Sequence, residues 1–156
     1  HSRIFADTHF HVSRRYRLNE MHMLNHICDS FVIGSDQVWN HGIARNFGRS
    51  FLMDFVRDEK KKVAVAASFG HDRDFRSNRE RIIASEYFKR FDAISVREES
   101  AVGIMKRVFG VLPVFWILYF LQTDRCMMIL QQNLHVMKQN HICLPIFWIR
   151  HLKRKR

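Results

Sequence analysis

"FVIGSDQVWN", residues 31–40, is the stretch on which the reading of this chain turns. Phe31, Val32 and Ile33 form an aromatic and β-branched run ending in Gly34, a residue free to take positive φ, so a short buried strand is predicted over 30–34. Directly behind it stand Ser35, Asp36 and Gln37, three hydrogen-bonding side chains, and then Trp39. Two expectations compete for this group. In one, Gly34 lets a ligand or a neighbouring backbone approach, the polar residues hold a ligand, and Trp39 offers a ring face to a sugar or shields the site from water. In the other, Asp36 caps the following turn and Trp39 plugs the core.

The same form recurs twice. "KKVAVAASFG", 61–70, predicts a strand from about Lys62 to Ala67 followed by the turn Ser68-Phe69-Gly70, and "DAISV", 92–96, predicts a third strand leading into "REES". Between them, "RSNRERIIASEYFKRF", 76–91, has apolar residues at 82, 83, 87, 88 and 91, a helical spacing, with Ser77 and Glu80 as a capping box. "REESAVGIMKRVFG", 97–110, predicts a helix with Val102, Met105 and Val108 or Phe109 inward and Gly110 at its stop. A further helix is expected around 17–27. Short apolar strands alternating with amphipathic helices predict an α/β fold with a mostly parallel sheet. In such sheets ligands gather beyond the carboxyl ends of the strands, where "GSDQVW", "SFGHD" and "REES" all fall.

At 156 residues the chain is long enough for one domain with its own core. Its net charge of +11 is unevenly distributed. Residues 1–111 hold 19 Lys and Arg against 14 acids, whereas 112–156 hold seven against Asp124 alone, so the tail differs in composition from the body. Cys28, Cys126 and Cys143 show neither disulfide-framework nor zinc spacing, and reduced thiols are expected. The longest apolar run, "VLPVFWILYFL" at 111–121, is about half the ~20 residues that span a bilayer, so no transmembrane segment is expected. The ten histidines are scattered, with His9 and His11 the only close pair, and predict no metal site. The basic cluster Arg14, Arg15 and Arg17 lacks interleaved aromatic platforms, so no nucleic acid is expected as partner.

Arg97 sits where strand three becomes a helix, so its guanidinium fork is placed to meet a phosphate or carboxylate; the competing expectation is an ion pair with a neighbouring acid. Glu98 and Glu99 complement the helix dipole, and Ser100 can bond an end amide. Ser68 reads as a turn hydroxyl more readily than as a nucleophile, and His71-Asp72 as a solvated loop.

"DSFVIGSDQVWN", "FLMDF", "KKVAVAASFG" and "FDAISVREESAVGIMKRVFG", in this order, resemble the polysaccharide pyruvyl transferase family. The resemblance implies an enzyme moving a pyruvyl group from phosphoenolpyruvate to sugar hydroxyls as a ketal, in bacterial exopolysaccharide synthesis. It implies two Rossmann-like halves facing across a cleft, as in one class of glycosyltransferases. Its partners would be phosphoenolpyruvate and a saccharide acceptor, with no other cofactor, in the cytoplasm or at the inner face of the membrane. On this chain the implied substrate-binding residues are Gly34, Ser35, Asp36, Gln37, Trp39, Ser68, Gly70, Arg97 and Ser100, with Arg97 the donor's anion contact. The family's second half has no counterpart here, so 1–111 is expected to be a partial domain, inactive alone. The alternative is a nonenzymatic α/β module binding an anionic sugar or nucleotide.

After "RVFGV" the family continues with "LDP", and this chain does not. It has "PVFWILYF" at 113–120 and "PIFWIRH" at 145–151. Phe-Trp-Ile is encoded TTY-TGG-ATH; read one base earlier it contains YTG-GAT, Leu-Asp whatever the wobble base. The same shift forces Asp from Met127-Met128 and from Met128-Ile129, and Glu from Met137-Lys138. Residues from about 114 to 156 are therefore expected to be an out-of-frame tail, poorly structured and without function of its own. A third expectation takes this basic, aromatic tail as an anchor to a membrane surface.

Overall fold

The structure, a computed structural model, describes residues 16–115 and 142–143. The His9 and His11 pair, Arg14, Arg15 and most of the tail lie outside the described residues. Five parallel strands of the described residues form one sheet: β1 (Ser30–Gly34), β2 (Lys61–Ala67), β3 (Ala93–Val96), β4 (Val114–Phe115) and β5 (Ile142–Cys143), in the order β4-β3-β2-β1-β5. The three strands predicted from the sequence are its centre. Two short pieces of the tail, β4 and β5, pair at its two edges.

β1 runs beside β2 in unbroken register from Ser30–Lys61 to Gly34–Val65. β2 and β3 pair at Val63–Ala93 and Ala64–Ile94, then slip before Ala67–Val96. The slip is a bulge in β2, where Ala66 takes φ 47°. Ser95, polar in the middle of a buried strand, completes it: its Oγ accepts from Ala66 N at 2.9 Å and donates to Ala64 O at 3.2 Å.

Among the described residues three α-helices accompany the sheet: α1 (His41–Ala44), α2 (Asn78–Phe88) and α3 (Glu99–Ile104). Ser77 and Glu80 form the expected capping box on α2, with Ser77 N and Oγ each donating to Glu80 Oε2 at 2.7 Å. The burial of α2 differs from expectation at one position. Ile82 is 68% exposed, and the inward face is made by Ala84 and Phe88 with Tyr87 half-buried, because Ala84 and Phe88, four residues apart, set the face that meets the aromatic core, where Phe88 packs on Trp39, Phe69 and Phe109. The predicted 97–110 helix is split: after α3 the backbone widens to a π-helix over Met105–Phe109, ending at Gly110 with φ 67°. The wider turn brings Met105 and Phe109 into the core together, and Ser85 Oγ donates to Phe109 O at 3.0 Å. The expected helix around 17–27 is a 3-10 helix over Leu18–His26. Asn25 anchors it, donating to His22 O and Phe55 O, both at 2.8 Å, and accepting from Arg57 N at 3.0 Å.

The core is aromatic at its centre. Trp39 packs on Phe69, Phe88 and Phe91 with ring centroids 5.4, 4.8 and 6.4 Å apart, and Phe109 meets Phe88 at 4.8 Å and Phe69 at 5.9 Å. Each such buried ring stabilises the fold by about 1.5–3 kcal/mol relative to leaving it in water. Beside this core Arg76 donates to Asp74 Oδ1 at 2.6 Å and to Trp39 O at 3.0 Å, and Arg81 donates to Asp74 Oδ2 at 3.1 Å. At the other end of the sheet Lys62 is buried, its ammonium donating to the carbonyls of Arg57, Asp58 and Lys60 at 2.8, 3.2 and 2.5 Å. Burial pulls its pKa below the usual lysine range, with the positive charge of Arg90 acting in the same direction.

The expectation of reduced thiols does not hold for Cys28, which is disulfide-bonded. Spacing patterns test for local frameworks and are blind to a bridge between distant segments.

Candidate functional site

Gly34 ends β1 with φ 126°, and a Cβ there would run into the carbonyl oxygen of Val65, with the carbonyl carbon at 2.9 Å. The approach that Gly34 permits is therefore that of the neighbouring strand. The chain then turns sharply. Asp36 Oδ1 accepts from Gln37 N at 2.7 Å, capping the turn, and Asp36 O accepts from Val38 N and from Ser68 N. Trp39 N in turn donates to Ser68 O at 3.0 Å, so the segment after β1 is stitched to the segment after β2.

Ser68 is the meeting point of the three strand ends. Fully buried, its hydroxyl donates to Glu98 Oε1 and accepts from Gly70 N at 2.9 Å. Arg97 N is tied to Ala67 O at 3.1 Å, while its guanidinium reaches Ser35 O and Glu98 Oε1, both at 3.5 Å. Those two guanidinium contacts are long, and the Arg97 side chain is 33% exposed. Gly70, with φ 71°, lies against two amides: a Cβ there would strike Gln37 Oε1 and come within 2.7 Å of Asn40 Nδ2.

Of the nine residues singled out by sequence, Gly34, Ser35 and Asp36 are exposed at the rim, and Gln37, Gly70 and Arg97 are half-buried beside them. Ser68 lies beneath, and Ser100 is half-buried in the first turn of α3. Trp39 departs from its expected place on a cleft wall. Its ring is 0% exposed, its Nε1 donates to Phe51 O at 3.1 Å, and it offers no face to a ligand. The reason is that the turn capped by Asp36 carries the ring back under the sheet, where the Phe69 and Phe88 rings complete its surroundings. His71 and Asp72 are both exposed.

Sequence reasoning missed two members of this cluster. Glu98, read as a complement to the helix dipole, is the carboxylate that joins Ser68 to Arg97; its Oε2 is buried with no hydrogen-bond partner among the described residues. Asn40 caps α1, accepting from Gly42 N at 3.0 Å, and donates to Gln37 Oε1 at 2.9 Å. The signal for Asn40 was present, an Asx residue directly before a short helix; that for Glu98 was not, because its partner lies 30 residues away. Among the described residues no group of three or more His, Cys, Asp or Glu side chains is arranged to hold a metal ion, and no helix is long and apolar enough to cross a membrane.

A parallel α/β sheet with its polar loops gathered at the carboxyl ends of three adjacent strands defines a Rossmann-like half-domain. The family model for polysaccharide pyruvyl transferase matches residues 2–118, well over half of the chain, and the chain belongs to that family. The match covers all four motifs between 29 and 110 and extends past them in both directions. No curated protein and no solved structure matches the chain.

Proposed function

We propose that this chain carries the first Rossmann-like half of a pyruvyltransferase that moves a pyruvyl group from phosphoenolpyruvate to a sugar hydroxyl, as a ketal, in cytoplasmic steps of bacterial cell-surface polysaccharide synthesis. The observation that carries this reading is the family match over residues 2–118. The meeting of three polar strand ends supports it. Arg97 is the donor's anion contact: its guanidinium is loosely held by two 3.5 Å bonds, so a phosphate or carboxylate can replace them with shorter, charge-assisted ones. Gly34, Ser35 and Asp36 form the near rim of the cleft, Gln37 and Gly70 its floor, with Ser68 bracing the Arg97 turn through Glu98 and Ser100 beside it in the first turn of α3. Trp39 supports the rim from within the core.

The reading extends to the tail. The composition break at about residue 112, two copies of Phe-Trp-Ile that shift to Leu-Asp, and a family match that stops at 118 support an out-of-frame segment from about 114, in a copy inactive by itself. The nucleotide sequence across codons 108–120 tests this: an intact frame with no gained or lost base sinks it.

The donor assignment is tested by thermal unfolding of the full chain with phosphoenolpyruvate at concentrations up to millimolar. Binding to the folded state raises the midpoint by mass action, and Arg97→Ala should abolish the rise. Protection by a sugar phosphate or nucleotide but not by phosphoenolpyruvate would instead favour the nonenzymatic module.

A further inference from the structure

The loop that leaves β2, residues 70–76, carries a group the donor contact does not use. Phe75 is 48% exposed, whereas every other phenylalanine whose side chain is described is buried or half-buried. Its ring has polar planar groups around it. The His71 imidazole meets it edge-on with centroids 5.0 Å apart, and the Arg73 guanidinium lies 4.9 Å from its centroid. Behind His71, Asn40 Nδ2 stands 3.5 Å from His71 Nε2 and donates to Gln37 Oε1, which leaves Gln37 Nε2 donating to no described group. Gly70 is what allows this arrangement, since any side chain there would displace the Gln37 and Asn40 amides. The whole group follows directly from the strand-end cluster, because Gln37 and Gly70 belong to both.

An exposed ring bordered by an imidazole and a guanidinium, with the Gln37 amide reached through Asn40 beyond His71, matches the chemistry of a pyranose. Such a sugar is apolar along its axial C–H bonds and carries donors and acceptors around its rim. We infer that Gln37, His71, Arg73 and Phe75 form the saccharide subsite, with a pyranoside of the acceptor laid against Phe75 and its hydroxyls bonded to Gln37, His71 and Arg73. This rests on the proposed transfer to a sugar hydroxyl and adds where that sugar is held.

Saturation-transfer NMR on the full 156-residue chain tests it, with methyl β-D-galactopyranoside, methyl β-D-glucopyranoside and methyl α-D-mannopyranoside as probes and glycerol as the polyol control. At least one glycoside, and not glycerol, should receive saturation at its ring protons. Phe75→Ala and His71→Ala should each weaken that binding about fivefold, the scale of one lost ring contact. Both residues are exposed, so the variants should fold, and circular dichroism checks that they do. Saturation of no glycoside, or the same saturation in wild type and both folded variants, overturns the subsite. Glycoside contact that depends on Phe75 without thermal protection by phosphoenolpyruvate upholds the subsite and sinks the donor assignment, so the two readings fail separately.

Discussion

Gly34 shows how a residue can be read correctly as a break while the sequence leaves open whether a ligand or a neighbouring backbone approaches it. Its position at the end of an apolar run predicted a close approach, and the approach is by the Val65 carbonyl. With φ 126° and backbone in the way of any Cβ, Gly34→Ala should cost about 3 kcal/mol or more in stability, measured by urea unfolding. A cost under about 1 kcal/mol would mean that β1 and β2 do not meet this closely. Lys62 makes the opposite point, since a lysine heading a strand suggests a solvated charge and this one is buried under three carbonyls. Lys62→Met should destabilise by about 2–4 kcal/mol despite being the more apolar residue, because it strips those carbonyls of their donor. The burial-lowered pKa sets a second expectation. The charged form is disfavoured in the folded state, so this residue's contribution becomes more favourable as pH rises from its lowered value towards the ordinary lysine range.

Elements were legible where their signals are local. The capping box at Ser77 and Glu80 was readable because all its partners lie within four residues, and it is formed. Its hydrogen bonds hold the Glu80 carboxyl below the usual carboxylate range, the Ser77 hydroxyl contributing most. A depressed carboxylate stabilises the fold above its unfolded pKa and loses that effect as pH falls through its folded value. Ser77→Ala should therefore cost about 1 kcal/mol near pH 7, and the gap to wild type should narrow as pH falls towards 3, followed by thermal unfolding across that range. A gap that stays constant with pH would remove Glu80 from the cap. The β2 bulge and the π-helix at Met105–Phe109 were not legible. Both insert a residue against the local period, and what stabilises them, Ser95 on the neighbouring strand and Ser85 on α2, is brought there only by tertiary packing.

Across the whole molecule the loop after β2 is tied to the core by charge. Asp74 and Arg76 are both buried, and the Arg76 guanidinium lies 5.7 and 5.8 Å from the Phe69 and Phe109 rings while bonding Trp39 O. Removing one partner of a buried pair strands the other charge, so Arg76→Met should cost about 3 kcal/mol, with Asp74→Asn added to it recovering part of the loss. If the double variant is less stable than Arg76→Met alone, Arg81 rather than Arg76 is the main partner of Asp74. The same loop presents His71 and Phe75, so the ion pair also holds the proposed saccharide subsite in place.

What the sequence by itself determined is the α/β alternation, the three central strands, the capping box and the family, because each rests on periodicity or motif within a few tens of residues. Only the tertiary structure decided that Trp39 belongs to the core, that Ser68 and Glu98 meet, that Cys28 is bridged and that β4 and β5 flank the sheet. A side chain's neighbours across a sheet are fixed by strand register and by the turns that feed it, and a one-residue bulge, as in β2, is enough to re-aim everything that follows.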